Sequence, residues 1–210
     1  MNKLIVIGAS GFGREVVWLI ERVNQVAPQW QLVGFLDDSP QKAEAEINGY
    51  PVLGQVSTAA NYLDAYFICA IGSAAIRKNV IEQLRRFHDI KFATIIDPNV
   101  VISQHVSVGE GTIICAGSII TVDIIIGCHV IVNLGCTIGH DAKVSDYCTL
   151  HPSVNISGNV YLGIGTEVGA GVQIIQGKDI CQDTVIGAGA VVVNDIKEPG
   201  TYVGVPARKV

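Results

Sequence analysis

A histidine and a carboxylate stand side by side in Gly139-His140-Asp141, directly after a residue that favours turns. An imidazole beside an acid can act as a general base, because the acid raises the basicity of the ring or fixes its tautomer. Such a base could take a proton from an amine or hydroxyl while that group attacks a carbonyl. A solvated surface histidine would look the same in sequence, so the residues alone leave both interpretations open.

A second candidate site combines a glycine-rich turn with an acidic pair. The turn Gly8-Ala9-Ser10-Gly11-Phe12-Gly13 follows an apolar strand and opens a helix, Asp37-Asp38 ends the next strand, and Gly72 ends a third. Such a turn offers free backbone N–H groups and a positive dipole end to a phosphate, and the acidic pair could bind ribose hydroxyls or a base. Many turns need glycine only for its conformational freedom. The segment is too short for both halves of a full Rossmann sheet, which favours one nucleotide over a dinucleotide.

A metal centre is the third chemistry that the residue types allow. Cys136, His140, Cys148 and His151 have the ligand atoms that zinc prefers, but zinc needs all four to converge. The hexapeptide register described below turns the two cysteines inward and His140 outward. We therefore predict buried free thiols in a reducing compartment and no metal site.

The elements that must position these residues are set by a six-residue repeat in the C-terminal half. Small or β-branched residues recur two positions before the repeated aliphatic residue, with Lys178 as the exception, and glycine often follows it. A β-solenoid with one short strand and one turn per hexapeptide stacks equivalent positions in columns, whereas the irregular turns of a β-sandwich would break the phase. The repeat predicts a hexapeptide β-helix. Its aliphatic column is Ile96, Ile102, Val108, Ile114, Ile120, Ile126, Val132, Ile138, Val144, Leu150, Ile156, Leu162, Val168, Ile174, Ile180, Ile186 and Val192.

The first ninety residues predict a small α/β domain. Strands are expected at residues 3–7, 31–36 and 67–71, with helices after the first glycine-rich turn and at about residues 75–87. Parallel strands bring their carboxyl ends to one edge, so the loop at Gly72 should lie beside the first turn. We predict a Rossmann-like domain at residues 1–90 and a β-helix domain at residues 91–210.

Composition narrows the partners and the compartment. The 210-residue chain has a net charge of −5, and between Asp97 and Val192 its basic residues are Lys143 and Lys178. This gives no basic stripe for a nucleic-acid backbone. Apolar runs are far shorter than the roughly 18 residues of a membrane span, and the N-terminus lacks a signal cleavage site. We expect a cytoplasmic protein without membrane insertion or nucleic-acid binding.

Taken together, these motifs resemble one enzyme family over essentially the whole chain. The first glycine-rich turn, Gly34-Phe35-Leu36-Asp37-Asp38, Ala70-Ile71-Gly72, the repeat with Gly139-His140-Asp141, and the ending Val203-Gly204-Val205-Pro206-Ala207 resemble the sugar acetyltransferases typified by sialic acid O-acetyltransferase and UDP-4-amino-sugar N-acetyltransferase. The resemblance implies a left-handed β-helix, a homotrimer, and acetyl-CoA bound in the grooves between neighbouring β-helices. It also implies that His140 is the proton acceptor and that Asp141 modulates it.

The resemblance implies ligand contacts as well. Relatives commonly have histidine where this chain has Thr149, so that thioester contact would be made by the hydroxyl, taken over by His151, or absent. Many relatives also have histidine in place of Phe12. Arg14 could pair with a diphosphate, or be a solvated residue of the helix surface. The implied cofactor positions are Thr149, Gly158, Ala170 and Ala188, following one another along one groove, and the implied sugar-nucleotide positions are Ser10, Gly11, Phe12, Asp37, Asp38 and Gly72.

The remaining histidines differ in their expected roles. We expect His88, His105 and His129 to be exposed and inert, whereas His151 could line the same groove as His140.

The function that the sequence favours is N-acetylation of a UDP- or GDP-linked amino sugar for bacterial surface glycans, with an O-acetyltransferase as the alternative. A β-helix scaffold and a sugar-nucleotide-binding regulator are the non-enzymatic alternatives. The acceptor sugar and the nucleotide base are not determined by the sequence.

Overall fold

The computed structural model describes residues 1–43, 45–87 and 89–210, with the side chain of residue 87 left out. It has an N-terminal domain built on one six-stranded sheet and a C-terminal parallel β-helix with three sheets. The two predicted folds are therefore both present in the order expected from the sequence.

The N-terminal sheet has the strand order β3-β4-β2-β1-β5-β6 and is parallel except for the β3–β4 hairpin. Asn48 and Gly49 form the hairpin turn with φ of 50° and 80°, the left-handed pair that a tight hairpin turn requires. The elements are β1 (Asn2–Ile7), α1 (Gly11–Val26), β2 (Trp30–Leu36), a 3-10 helix (Pro40–Lys42), β3 (Glu46–Ile47), β4 (Tyr50–Gly54), a second 3-10 helix (Val56–Tyr62), β5 (Tyr66–Cys69), α2 (Ala74–Phe87) and β6 (Lys91–Phe92). Strand β6 carries this sheet two residues beyond the predicted domain limit at residue 90.

The β-helix places equivalent strands eighteen residues apart, so each coil is three hexapeptides long. The first sheet contains Ile95–Ile96, Ile113–Ile114, Ile131–Val132, Thr149–Leu150, Glu167–Val168, Thr184–Ile186, Gly200–Val203 and Arg208–Lys209. The second contains Val101–Ile102, Ile119–Ile120, Thr137–Ile138, Asn155–Ile156, Gln173–Ile174 and Val191–Val192. The third contains Ser107–Val108, Ile125–Ile126, Lys143–Val144, Tyr161–Leu162 and Asp179–Ile180.

Two sets of side chains point into the β-helix: the aliphatic column, and the column of small or β-branched residues two positions before it. From Ile114 to Val192 every member of the aliphatic column is buried. Polar members of the small column bond across the interior: the Ser118 hydroxyl donates to the Asn133 carbonyl at 3.0 Å, and the Cys148 thiol donates to the Gly163 carbonyl at 3.2 Å. These carbonyls lie fifteen residues ahead of their donors, which explains why Ser, Thr and Cys are tolerated in an apolar interior.

The outer face of the first sheet is covered by the N-terminal domain. Ile95, Ile113 and Ile131 are buried in the same apolar cluster as residues of β1 and α1. At the rim of this contact Arg22 of α1 pairs with the fully buried carboxylate of Asp97, with Nε and Oδ2 2.6 Å apart. On the other two sheets the outward side chains of Val101, Ile119 and Ile125 are exposed.

Candidate active site

His140 and Asp141 lie at the corner where the second sheet turns into the third. Asp141 adopts a left-handed φ of 60°, as does the turn residue one coil earlier, and its Oδ2 lies 2.7 Å from His140 Nδ1. Both side chains are more than half exposed, which agrees with the predicted outward direction. When Nδ1 carries the proton that Asp141 accepts, Nε2 keeps a free lone pair for a proton from another molecule.

Gly158 supports the imidazole from the next coil. A Cβ placed on Gly158 would lie 2.6 Å from both Cε1 and Nε2 of His140, a distance that no real side chain tolerates. The backbone joins the same two turns, because the N–H of Asn159 donates to the His140 carbonyl at 2.9 Å. The absence of a side chain at Gly158 therefore leaves room for the ring in this position.

The other predicted cofactor positions do not line up with His140 within one chain. Ala170 and Ala188 stack as exposed turn residues one coil apart, with the Gly189 N–H donating to the Ala170 carbonyl. They lie at the corner between the first and second sheets, whereas His140 and Gly158 lie between the second and third. A groove that holds all of these positions therefore needs two copies of the β-helix, and their contact with acetyl-CoA stays a prediction.

Thr149 is enclosed by the domain contact. It is 1% exposed, its hydroxyl donates to the Gly72 carbonyl at 2.8 Å, and it accepts from Arg77 Nη2 at 2.8 Å. The only donor function of the hydroxyl is used within the chain, and a side chain with 1% exposure is not accessible to a ligand in this structure. The predicted contact of Thr149 with the cofactor conflicts with this burial.

His151 forms a second histidine–carboxylate pair near the domain contact. Its Nε2 lies 3.3 Å from Glu167 Oε1, and Glu167 Oε2 accepts the N–H of Ala74 at the start of α2. The hydrogen bond from His151, with the Ala74 N–H and the charge of Arg77, lowers the pKa of Glu167 despite partial burial. His151 is about one-third exposed, so this pair is open to a ligand on one side.

The predicted sugar-nucleotide residues meet at the carboxyl edge of the parallel sheet. Ser10, Asp37, Asp38 and Gly72 line a cavity of about 290 Å³. Asp38 also lines an adjoining cavity of about 410 Å³ between the second 3-10 helix and α2. Together the two cavities have room for a nucleotide at the place where open parallel sheets bind ligands.

Three of the predicted residues lie outside these cavities. Gly11 is exposed at the start of α1, and a Cβ there would meet only the tip of Arg14. Phe12 is partly buried and packs against the apolar cluster beneath the sheet. Its side chain therefore contributes to the core in this structure, while Gly11 and Arg14 remain at the surface.

The two aspartates differ in what they bind. Asp37 Oδ2 accepts the Ala9 N–H at 2.7 Å and the Lys42 ammonium at 2.9 Å, while Oδ1 accepts the Ser39 N–H at 2.9 Å. Burial alone would raise the pKa of Asp37, but these hydrogen bonds outweigh it and hold the pKa below its usual value. Asp38 is exposed and accepts one backbone N–H, from Val56. Asp37 thus holds the glycine-rich turn in place, and Asp38 faces the cavities.

The expectation that His129 is exposed is wrong. His129 is 1% exposed, stacked on Tyr147 with ring centroids 5.4 Å apart and edge-on to Phe92 at 4.7 Å. Burial, with the charges of Arg85 and Arg77, lowers its pKa to about 3. His129 is therefore a neutral part of the domain contact. His105 is exposed as expected, and His88 lies outside the described residues.

Comparisons with known proteins show the family to which the chain belongs. Residues 3–84 match the PglD N-terminal domain family. The chain is 31% identical to a GDP-perosamine N-acetyltransferase of Escherichia coli O157:H7, over 90% of this chain and 85% of the relative. The chain belongs to the hexapeptide-repeat sugar acetyltransferases.

Solved structures of this acetyltransferase family have the same fold over the whole chain. The acetyltransferase domain of PglB from Neisseria gonorrhoeae FA1090 superposes with a TM-score of 0.90 at 28% identity and covers all of both chains. A His-to-Asn mutant of perosamine N-acetyltransferase from Caulobacter crescentus, in complex with CoA and GDP-perosamine, superposes with a TM-score of 0.89 at 28% identity, covering 99% of this chain and 96% of the other. The predicted Rossmann-like domain and left-handed parallel β-helix are confirmed.

Sequence reasoning missed two charged residues that hold the acetyltransferase together. Arg77 is 1% exposed between the domains, and Glu167 joins α2 to His151. Arg77 lies three residues after Ala74 and four before Ile81, both buried. An arginine in the apolar stripe of a helix is the signal that could have identified it.

A metal-binding cluster and a membrane-spanning helix are both absent from the described part of this acetyltransferase. No cluster of three or more His, Cys, Asp or Glu side chains there could hold a metal ion. No helix in the described ranges is long and apolar enough to cross a membrane.

Proposed function

We propose that this acetyltransferase transfers the acetyl group of acetyl-CoA to the amine of a nucleotide-linked amino sugar, for bacterial surface glycans. The observation that carries the proposal is the pairing of an exposed His140–Asp141 site with a nucleotide-sized cavity in the other domain. Relatives support the amine acceptor, since they include a GDP-perosamine and a UDP-N-acetylbacillosamine N-acetyltransferase. The greater coverage of the first relative, 90% against 55% of this chain, favours GDP as the nucleotide.

In this proposal His140 is the general base. The sugar amine attacks the thioester carbonyl, His140 Nε2 takes a proton from the nitrogen, and Asp141 holds the opposite ring nitrogen. The carbon–sulfur bond then breaks, and the proton reaches the thiolate, giving the amide and CoA. Gly158 keeps the ring in position and, with its exposed turn neighbours, leaves space for a pantetheine arm.

The sugar nucleotide occupies the two cavities at the carboxyl edge of the N-terminal sheet. Free N–H groups near Ser10 and Gly72 face the diphosphate, and Asp38 binds a ribose hydroxyl or the base. Asp37 acts indirectly by fixing the first turn. Phe12 takes no polar part, because its side chain packs into the apolar cluster.

We further propose a cytoplasmic homotrimer in which acetyl-CoA lies between neighbouring β-helices. Two observations support it. Ala170 and Ala188 lie at a different corner from His140, so one groove can hold all three only when two copies contribute. Apolar side chains also remain exposed on the second and third sheets, at Val101, Ile119 and Ile125.

The deciding experiment measures CoA release with acetyl-CoA and a panel of GDP-, UDP-, dTDP- and CMP-linked amino sugars, with product mass as the second readout. An added acetyl group on the nucleotide-linked amine supports the proposal. Acetylation of a free sugar hydroxyl alone would replace it with the O-acetyltransferase alternative. Sugar-nucleotide binding without CoA release in any reaction would indicate a regulator, and neither activity would indicate a scaffold.

A further inference from the structure

Arg77 is the largest fully buried side chain in the described part of the molecule, and it lies between the two domains. Its guanidinium donates to carbonyls of three segments. Nη1 reaches the carbonyls of Ile71 and Gly72 at 2.7 and 3.1 Å. Nε reaches the His129 carbonyl at 2.9 Å, and Nη2 reaches the carbonyls of Tyr147 and Cys148 at 2.8 and 3.0 Å. One side chain thus joins the loop before α2 to two adjacent coils of the β-helix.

Full burial is unusual for an arginine side chain without a carboxylate partner. Within the described ranges no carboxylate forms an ion pair with Arg77. Desolvation lowers its pKa to about 10, so the side chain remains charged at neutral pH. Burying a charge costs free energy unless the group is paired or hydrogen-bonded, and here carbonyl oxygens take the place of a carboxylate. What a guanidinium provides that an apolar residue cannot is direction, since its donors lie in one plane at fixed angles.

The Arg77 guanidinium orients the peptide groups of the loop that lines the nucleotide cavity. Arg77 and the Thr149 hydroxyl together draw the Ile71 and Gly72 carbonyls towards the β-helix. In a trans peptide the N–H points opposite to the carbonyl, so the N–H groups of Gly72 and Ser73 point away from the guanidinium. Across the described residues neither N–H has a hydrogen-bond acceptor, and Gly72 lines the cavity.

We propose that Arg77, with Thr149, is a positioning residue for the sugar nucleotide, fixing the loop at residues 71–73 relative to the coils that lead to His140. The proposal rests on the proposed function, because it assigns the cavity to the nucleotide-linked acceptor. The coil that supplies the Tyr147 and Cys148 carbonyls begins only a few residues after His140. A shift of the loop would change how the acceptor amine meets the acetyl group, without affecting the acetyl-CoA groove.

The test compares two acceptors, GDP-perosamine and perosamine freed from its nucleotide, in the full-length protein. Thr149→Val removes one hydroxyl at the link, and Arg77→Met removes the guanidinium. We expect kcat/KM for GDP-perosamine to fall by about threefold to tenfold in Thr149→Val and by about 100-fold in Arg77→Met. Turnover with free perosamine and the KM for acetyl-CoA should stay within about twofold of wild type.

The matched control is Thr166→Val. Thr166 is fully buried and its hydroxyl donates to the Gly163 carbonyl at 2.8 Å, so the substitution makes the same chemical change away from the loop. It should lower the melting temperature as Thr149→Val does and leave kcat/KM for GDP-perosamine unchanged. Where Arg77→Met does not fold, Thr149→Val against this control decides the question.

Several outcomes would overturn the inference. Equal losses with both acceptors, or an equal loss in Thr166→Val, would reduce Arg77 and Thr149 to stabilising residues. Normal kinetics in Thr149→Val and Arg77→Met would remove both from positioning. A wild-type enzyme that acetylates only free sugars is a separate result, since it rejects the proposed function before any variant is measured.

Discussion

The imidazole of His140 packs against Gly158 of the next coil so closely that a Cβ at Gly158 would lie 2.6 Å from Nε2. Two residues eighteen positions apart thus form one structural unit. The stacking of coils brings a residue without a side chain beneath the ring, and the hydrogen bond that His140 Nδ1 donates to Asp141 holds the ring from the side.

This contact makes Gly158→Ala informative. The added methyl group must displace the ring, and a displacement of about 1 Å can cost about 100-fold in rate. We expect kcat to fall by about tenfold to 100-fold. In a His140→Ala background the same substitution should cost almost nothing further, because there is no ring to displace. Steady-state kinetics of the four proteins gives the coupling, and fully additive losses would show that Gly158 acts on something other than His140.

Removing the base should affect turnover more than cofactor binding. His140→Ala should lower kcat by about 100-fold or more and leave acetyl-CoA affinity nearly unchanged, because general-base catalysis acts in the transition state. Asp141→Asn should cause a smaller loss of kcat, since a neutral amide stabilises the imidazolium that forms in the transition state less than a carboxylate does. Near-normal turnover in His140→Ala would remove this residue from the mechanism.

Substitutions of the two aspartates after β2 should separate an effect on folding stability from an effect on ligand binding. Asp37→Ala leaves the N–H groups of Ala9 and Ser39 without their acceptor and should cost about 1–3 kcal/mol of folding stability. Because the folded-state pKa of Asp37 is lowered, its contribution is present above the unfolded pKa and is lost as pH falls through the folded value. Urea unfolding of the wild type and of Asp37→Ala should therefore show a smaller difference in unfolding free energy at pH 3 than at pH 7.

Asp38→Ala should instead weaken the sugar nucleotide. Asp38 is exposed and lines both cavities. Loss of its hydrogen bond to the ligand should weaken binding by about 1–3 kcal/mol and raise the KM for the nucleotide sugar accordingly. The KM for acetyl-CoA and the melting temperature should change little. An unaltered KM for every nucleotide sugar would count against the assignment of the cavity.

Because His129 is buried as a neutral imidazole, we expect the folded protein to lose stability in mild acid. Its folded-state pKa of about 3 lies well below the ordinary value of 6.5. As pH falls below 6.5 the unfolded chain gains a proton that the folded protein does not, which costs up to about 1.4 kcal/mol per pH unit. His129→Asn tolerates the residue's φ of 56° and should reduce the slope of melting temperature against pH between 4 and 6.5. An unchanged slope would exclude His129 as the cause.

The trimer prediction concerns surface residues of the β-helix. Ile125→Asp places a charge where an exposed apolar side chain is expected to meet a second copy, and should dissociate the assembly and abolish most activity. Val26→Asp, at an exposed position of α1, is the control that should change neither. Light scattering at micromolar concentration measures the mass, and a monomeric wild-type protein would contradict the proposal.

The sequence by itself determined the architecture of the β-helix and the direction of His140. A strict six-residue period leaves one arrangement in which Ile114, Cys148 and Val192 all face inward, because every coil repeats the same local geometry. The glycine-rich turn, Asp37 and Asp38 were likewise located by position, since the ends of parallel strands share one edge. Periodicity and strand order are local properties, and local properties can be read along a chain.

Only the tertiary structure decided which side chains lie between the domains. His129 and Thr149 look like outward residues of the repeat, yet the N-terminal domain covers the first sheet and buries both. The sequence places Arg77 in the apolar stripe of α2, but only the structure shows its carbonyl partners from two coils. The family resemblance implies that Thr149, Gly158 and Ala170 share a groove between neighbouring β-helices. Only the tertiary structure shows that in one chain they lie on different sides of the β-helix. Docking of one domain on another brings together residues more than fifty positions apart, and no periodic pattern records that contact.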